Sequence, residues 1–187
     1  KTTFLEAPEA VAIRFDNAFV SRMTKAELTS TSISSFNVFC QTSEKDQPFN
    51  DTEVTRNSGT WEYSDTRYWD YGQSYAFSAY APSEASDAIS NISHDWKENR
   101  ITFDYNSDDT HQYDLVVANT VCSSQKKAVE LEFEHEMSIL CFEFISQEYK
   151  GITFNLKSLK VSGICTSAWF NGESFENPAD PGTYSAL

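Results

Sequence analysis

The chain is poor in basic residues, in glycine and proline, and in long apolar runs. Its 187 residues include 14 lysines and arginines against 28 aspartates and glutamates, a formal net charge of −14. Because this field repels phosphate backbones, we expect no nucleic-acid partner. The longest apolar runs have four residues, whereas a membrane-spanning helix needs about twenty. The sequence therefore predicts no transmembrane segment.

Motifs for catalysis and metal binding are also missing. No serine lies in a GxSxG motif, no glycine-rich loop precedes a helix, and no CxxC pair is present. His94, His111 and His135 show no HxH or HExxH spacing, and His135 is interpreted as a hydrogen-bonded core histidine. We therefore expect a protein that is not an enzyme and that has no cofactor and no metal site.

The four cysteines are widely spaced along the chain. If oxidised they could pair in three ways. Free thiols are favoured, because a domain of this length does not need disulfides to fold. The sequence leaves the state of these residues open: Cys40, Cys122, Cys141 and Cys165.

What the chain does have is aromatic residues and period-two alternation. Fourteen Phe, nine Tyr and four Trp are sufficient for a folded core. Alternation is strictest from Val129 to Glu136, where apolar residues and His135 alternate with four glutamates. This pattern predicts a half-buried strand with a solvated acidic face. Further strands are predicted at Ser35–Cys40, Tyr75–Tyr80, Ile101–Tyr105, Asp114–Ala118, residues 140–144, residues 152–156 and residues 159–161.

Helical signals are confined to single turns at Met23–Leu28 and Ser83–Ile89, the second beginning after Pro82. Turns are predicted at residues 57–59, 70–72, 106–109 and 178–182. Many short strands with no regular helices between them indicate an all-β fold, an antiparallel β-sandwich with at most short helical turns. Residues 171–187 lose the alternation, which predicts a tail or the start of a linker.

The densest aromatic cluster contains Trp61, Tyr68 and Trp69. These rings have two interpretations. They could fill the core and its rim, which is favoured because the aromatic pattern continues through Tyr75 and Phe77. Alternatively, they could form a stacking platform for a sugar, which makes them candidate ligand-contact residues.

The order of motifs resembles that of the fimbrillin-like proteins of Bacteroidales, the subunits and relatives of surface fimbriae. The most specific segments are FSAYAP at residues 77–82, DLVVA at residues 114–118 and VELEFEH at residues 129–135. The resemblance implies a transthyretin-like N-terminal β-sandwich domain over residues 1–170, followed from residue 171 by the tail or linker to a second domain. It also implies a cofactor-free structural or adhesive subunit that joins other subunits by strand donation.

By the same resemblance, the protein is exported to the cell surface and outer membrane, usually as a lipoprotein held by an N-terminal anchor that is absent from this chain. The segment up to Arg14 or Arg22 could be a self-filling strand, with an arginine as the protease-processing site. Adhesion would add a host or bacterial surface protein or glycan as a partner. The alternative function is a surface glycan-binding module that uses Trp61, Tyr68 and Trp69.

Overall fold

A computed structural model describes residues 10–20, 33–108, 112–124, 127–138, 140, 142–144 and 155–186. In these ranges the secondary structure is β-strand apart from a 3-10 turn at Ser83–Asp87. The strands are β1 (Phe15–Val20), β2 (Ser35–Thr42), β3 (Phe49–Asn57), β4 (Thr60–Glu62), β5 (Ser74–Ala81), β6 (Ile89–Asp95), β7 (Arg100–Asn106), β8 (Val116–Ser123), β9 (Val129–His135), β10 (Leu159–Phe170) and β11 (Phe175–Ala186).

The strands form two sheets. One has seven strands in the order β1-β9-β8-β5-β2-β3-β4, and the other has four in the order β11-β10-β7-β6. The pairs are antiparallel except for β1 with β9, which is parallel. The predicted all-β sandwich class is therefore confirmed.

The seven-stranded sheet is curled so that its two ends meet. The backbone N–H of Ile13 donates to the carbonyl of Arg67 at 2.8 Å, and that of Trp69 donates to the carbonyl of Val11 at 2.9 Å. These bonds join the chain before β1 to the chain after β4. The curled sheet therefore encloses one apolar core, which includes Phe36 and Phe77.

A second core includes Phe39 and Tyr80 of the seven-stranded sheet and Phe103 and Phe170 of the four-stranded sheet. Side chains on β2 and β5 thus point alternately into the two cores. This explains why these strands are buried on both faces. The four-stranded sheet acts as a cover on one side of the curled sheet.

Several predicted elements are confirmed. Strands β2, β5 and β7 include the segments predicted for them, and β9 includes all of its predicted segment except Glu136. The 3-10 turn follows Pro82 as expected, although it ends at Asp87 and Ile89 begins β6. Strand β8 begins two residues after the predicted Asp114 and extends to Ser123. The helical turn predicted at Met23–Leu28 lies outside the described residues.

The prediction of a strand at residues 140–144 is wrong at the residues of this segment that the structure describes. Leu140, Phe142 and Phe144 are outside the strands and are 62%, 50% and 61% exposed. Alternation describes the side chains, but a strand also needs a neighbouring backbone with which to pair. Of the strand predicted at residues 152–156, residues 151–154 lie outside the described ranges, and Leu156 is exposed and not in a strand.

The irregular tail predicted over residues 171–187 is also corrected, because β11 pairs with β10 along its length. The turn predicted at residues 178–182 lies inside this strand. Strand β10 pairs with β7 over Ser167–Phe170. Most residues of β11 are exposed, and the alternation between half-buried and exposed residues in β10 is interrupted after Ser162. The two prolines of β11 are tolerated because it is an edge strand. The division into a domain and a linker at residue 170 stays a prediction.

Candidate functional site

Strand β1 lies at one edge of the seven-stranded sheet and pairs only with β9. Phe15 is opposite Val129 and Ala18 is opposite Leu131, so three steps along β1 match two steps along β9. This extra residue is a β-bulge, which interrupts the ladder of backbone hydrogen bonds. Parallel pairing is also slightly less stable per residue than antiparallel pairing. The backbone therefore holds β1 less firmly than it holds the central strands.

Buried side chains also attach β1 to the first core. Phe15, Ala18 and Val20 point into the first core and are 6%, 5% and 8% exposed. The ring of Phe15 makes four aromatic contacts, all close to edge-to-face. Its centroid lies 5.4 Å from that of Phe36, 5.5 Å from Phe49, 6.0 Å from Tyr63 and 6.1 Å from Phe77. These rings form a pocket, referred to below as the Phe15 pocket, into which β1 inserts its largest buried side chain.

The outer face of β9 is acidic. Glu130, Glu132 and Glu134 are exposed and alternate with buried Val129, Leu131 and Phe133, as the sequence predicted. Successive carboxylates on such a face are about 7 Å apart. The next glutamate is half-buried: burial, and to a lesser extent the charge of Glu134, raises the pKa of Glu136 to about 7.

Of the two arginines predicted as processing sites, Arg14 is exposed and immediately precedes β1. Its carbonyl accepts a hydrogen bond from the backbone N–H of Val129 at 2.6 Å. Arg22 lies outside the described residues, two positions beyond Val20 in the sequence. Strand β1 lies between these two arginines, within the segment predicted to be self-filling. The sequence alone did not reveal where this strand begins and ends.

The structure separates the three aromatic residues predicted as ligand contacts. Trp61 and Trp69 are buried, with 9% and 5% exposure, while Tyr68 is 52% exposed. Trp61 packs on Phe36 at 4.9 Å, and Trp69 packs on Tyr75 at 4.6 Å. The prediction of a ligand-contact surface on these rings therefore rests on Tyr68 alone.

His135 is bonded to Asp114, whose Oδ1 lies 2.8 Å from its Nδ1. Their side chains are 1% and 3% exposed, in agreement with the interpretation of His135 as a core residue. In the ranges that the structure describes, no cluster of His, Cys, Asp and Glu could hold a metal ion. Cys40, Cys122 and Cys165 are free thiols, and Cys141 is outside those ranges.

The described residues contain no helix long and apolar enough to cross a membrane. The candidate site at β1 combines an edge strand, a pocket for its aromatic residue and an acidic rim on β9. Sequence reasoning missed Phe15 because β1 does not alternate. A phenylalanine flanked by Arg14 and Asp16 was the only local signal.

Comparison with known proteins agrees with this architecture. No curated protein matches the sequence. Among solved structures, a "putative cell adhesion protein" from Bacteroides ovatus is similar in fold, with a TM-score of 0.53 and 14% sequence identity, covering 96% of this chain and 72% of that one. The family model described as fimbrillin-like matches residues 21–186. The chain therefore belongs to the fimbrillin-like family.

Proposed function

We propose that this chain is a structural or adhesive subunit of a cell-surface fimbria and that it assembles by strand exchange at the edge of β9. Strand β1 occupies the acceptor site until it is removed, and an extended segment of another subunit then takes its place. The observation that carries this proposal is the insertion of Phe15, from a parallel and bulged edge strand, among four aromatic rings.

Removal of β1 would create the two features that recruit a strand. The N–H and C=O groups along the edge of β9 would lose their partner, and such an edge pairs readily with another chain. The Phe15 pocket would open beside this edge. Backbone pairing then supplies affinity, while pockets for alternate side chains supply specificity. The subunit needs no catalytic residue for this role, in keeping with its membership of a family of structural proteins.

The positions of the two arginines favour Arg22 as the processing site. Cleavage after Arg14 would leave β1 attached to the rest of the chain, whereas cleavage after Arg22 would detach it. The family match begins at residue 21, directly after β1. The part of the chain shared with the family thus contains the acceptor and excludes the strand that fills it. Export to the outer membrane with a lipid anchor, and a surface protein or glycan as adhesion target, belong to the same proposal.

The test is limited digestion of the full chain with an arginine-specific protease, with the cut site identified by mass spectrometry. A fluorescent peptide with the sequence of residues 12–21 is then added. We expect the cleaved protein to release β1 and to bind the peptide, while the uncut protein does not bind it.

The Arg22→Lys variant is the matched control, because it keeps the charge and resists this protease. It should retain β1 and exclude the peptide under identical conditions. Protein that has lost β1, remains folded by circular dichroism and still binds no peptide would refute strand exchange at this edge.

A further inference from the structure

The acidic row on β9, formed by Glu130, Glu132 and Glu134, lies on the strand that pairs with β1. Among the described residues, none of Glu130, Glu132 and Glu134 forms a salt bridge. Strand β1 contributes Asp16, which is exposed, and has no basic residue. Strand β8, on the other side of β9, has no charged residue. The row is thus flanked by strands that leave its charge unbalanced.

The register places one residue of β1 directly beside this row. Residue 19 pairs with Glu132, between the inward positions Ala18 and Val20. Asp16 is exposed next to Phe15. Directly paired residues with like charges weaken a sheet, and pairs of opposite charge stabilise it. A strand with basic residues at positions 16 and 19 would therefore suit this edge better than β1 itself.

At the C-terminal end of the row, the carboxylates of Glu134 and Glu136 already repel each other. The charge of Glu134, in addition to burial, raises the pKa of Glu136. A cation placed along the row would relieve this repulsion, and an additional carboxylate would increase it. Because the row is exposed, this effect should weaken as salt is added.

Building on the strand exchange proposed above, we propose that the β9 edge selects a donor strand by charge as well as by shape. The preferred donor is an extended segment of another subunit with lysine or arginine at the positions that correspond to residues 16 and 19. Its inward residues follow β1: an aromatic residue for the Phe15 pocket, a small residue at position 18 and a β-branched residue at position 20.

Two peptides test this selection on the protein cleaved after Arg22. Both have the sequence of residues 12–21; one contains Asp16→Lys and Phe19→Lys, and the other contains Asp16→Glu and Phe19→Glu. Their inward residues are identical, so only the outward charge differs. At about 20 mM salt we expect the lysine peptide to bind about tenfold more tightly, and at about 500 mM salt this difference should largely disappear.

The protein variant Glu130→Gln/Glu132→Gln should lose the preference between the peptides while still binding both. The variant Glu44→Gln/Glu98→Gln is the matched control, because it removes two exposed charges elsewhere. If the preference for the lysine peptide arises from pairing with the acidic row and not from net charge, this control variant should keep it.

Equal binding of the two peptides, or equal loss of preference in both protein variants, would overturn charge selection and leave strand exchange intact. If the folded, cleaved protein bound neither peptide nor the parent sequence, strand exchange itself would fail, and charge selection would fail with it. These outcomes are distinguishable in one titration series.

Discussion

Truncation of Phe15 to alanine should loosen β1 without unfolding the sandwich. Phe15 is 6% exposed and contacts four rings of the first core. Removing a buried phenylalanine side chain costs about 3–5 kcal/mol. Because β1 is an edge strand with an interrupted ladder, we expect the loss to appear mainly in the local opening of β1. The lower figure, about 3 kcal/mol, corresponds to a roughly 100-fold larger opening equilibrium constant.

Hydrogen exchange followed by mass spectrometry measures this opening. Amides of β1 and of the β9 edge should exchange roughly 100-fold faster in Phe15→Ala than in the unaltered protein. Amides of β7 and β10, which belong to the other sheet, should change much less. The rate of cleavage at Arg22 should rise in parallel, because opening of β1 should make the adjoining chain more accessible to the protease.

Phe170→Ala provides the matched control. Phe170 is fully buried in the second core and stacks on Phe103 at 4.9 Å. The same truncation there should lower the free energy of global unfolding, as measured by urea denaturation, and raise exchange across both sheets. If Phe15→Ala behaved like Phe170→Ala, with equal acceleration throughout, β1 would be an integral part of the cooperative unit and the proposed detachment would be refuted.

Three further predictions concern stability, each measured by urea denaturation. Burial lowers the pKa of His94 to about 4 from 6.5, so the folded protein keeps this imidazole neutral while the unfolded chain takes up a proton below pH 6.5. Stability should therefore fall between pH 6.5 and 4, and His94→Gln should reduce the fall by about 2–3 kcal/mol; identical pH profiles would contradict this. Burial raises the pKa of Glu136 to about 7, so its ionisation disfavours the folded state as pH rises from 4.5 through 7. Glu136→Gln should be more stable by about 1 kcal/mol at pH 8, after allowance for partial exposure, with little gain at pH 4. Trp69→Ala should cost about 3 kcal/mol because the ring is buried, whereas Tyr68→Ala should change stability by less than about 0.5 kcal/mol; comparable losses would contradict the burial of Trp69.

The sequence predicted the strands whose two faces have different surroundings. In β9, three glutamates face water while Val129, Leu131 and Phe133 face the core, so the alternation in sequence reproduces the alternation in burial. The hairpin β10–β11 was missed beyond residue 161 because the alternation of β10 is interrupted after Ser162 and most residues of β11 are exposed. Strand β3 was missed for a similar reason, since Phe49 and Val54 are its only buried residues. Periodicity thus detects a contrast between two faces and not the backbone pairing itself.

Strand β1 escaped detection because of its bulge, the same feature on which the proposed removal of β1 depends. Its inward residues are at positions 15, 18 and 20, a spacing of three and then two, which matches neither strand nor helix periodicity. The extra residue interrupts the ladder to β9, and three buried side chains of β1 contribute further attachment. Under the proposed strand exchange, a donor strand needs the same inward set as β1 together with outward charges that suit the β9 edge. The irregular spacing should therefore recur in the donor strand, and it is a more specific signature for finding that strand than simple alternation.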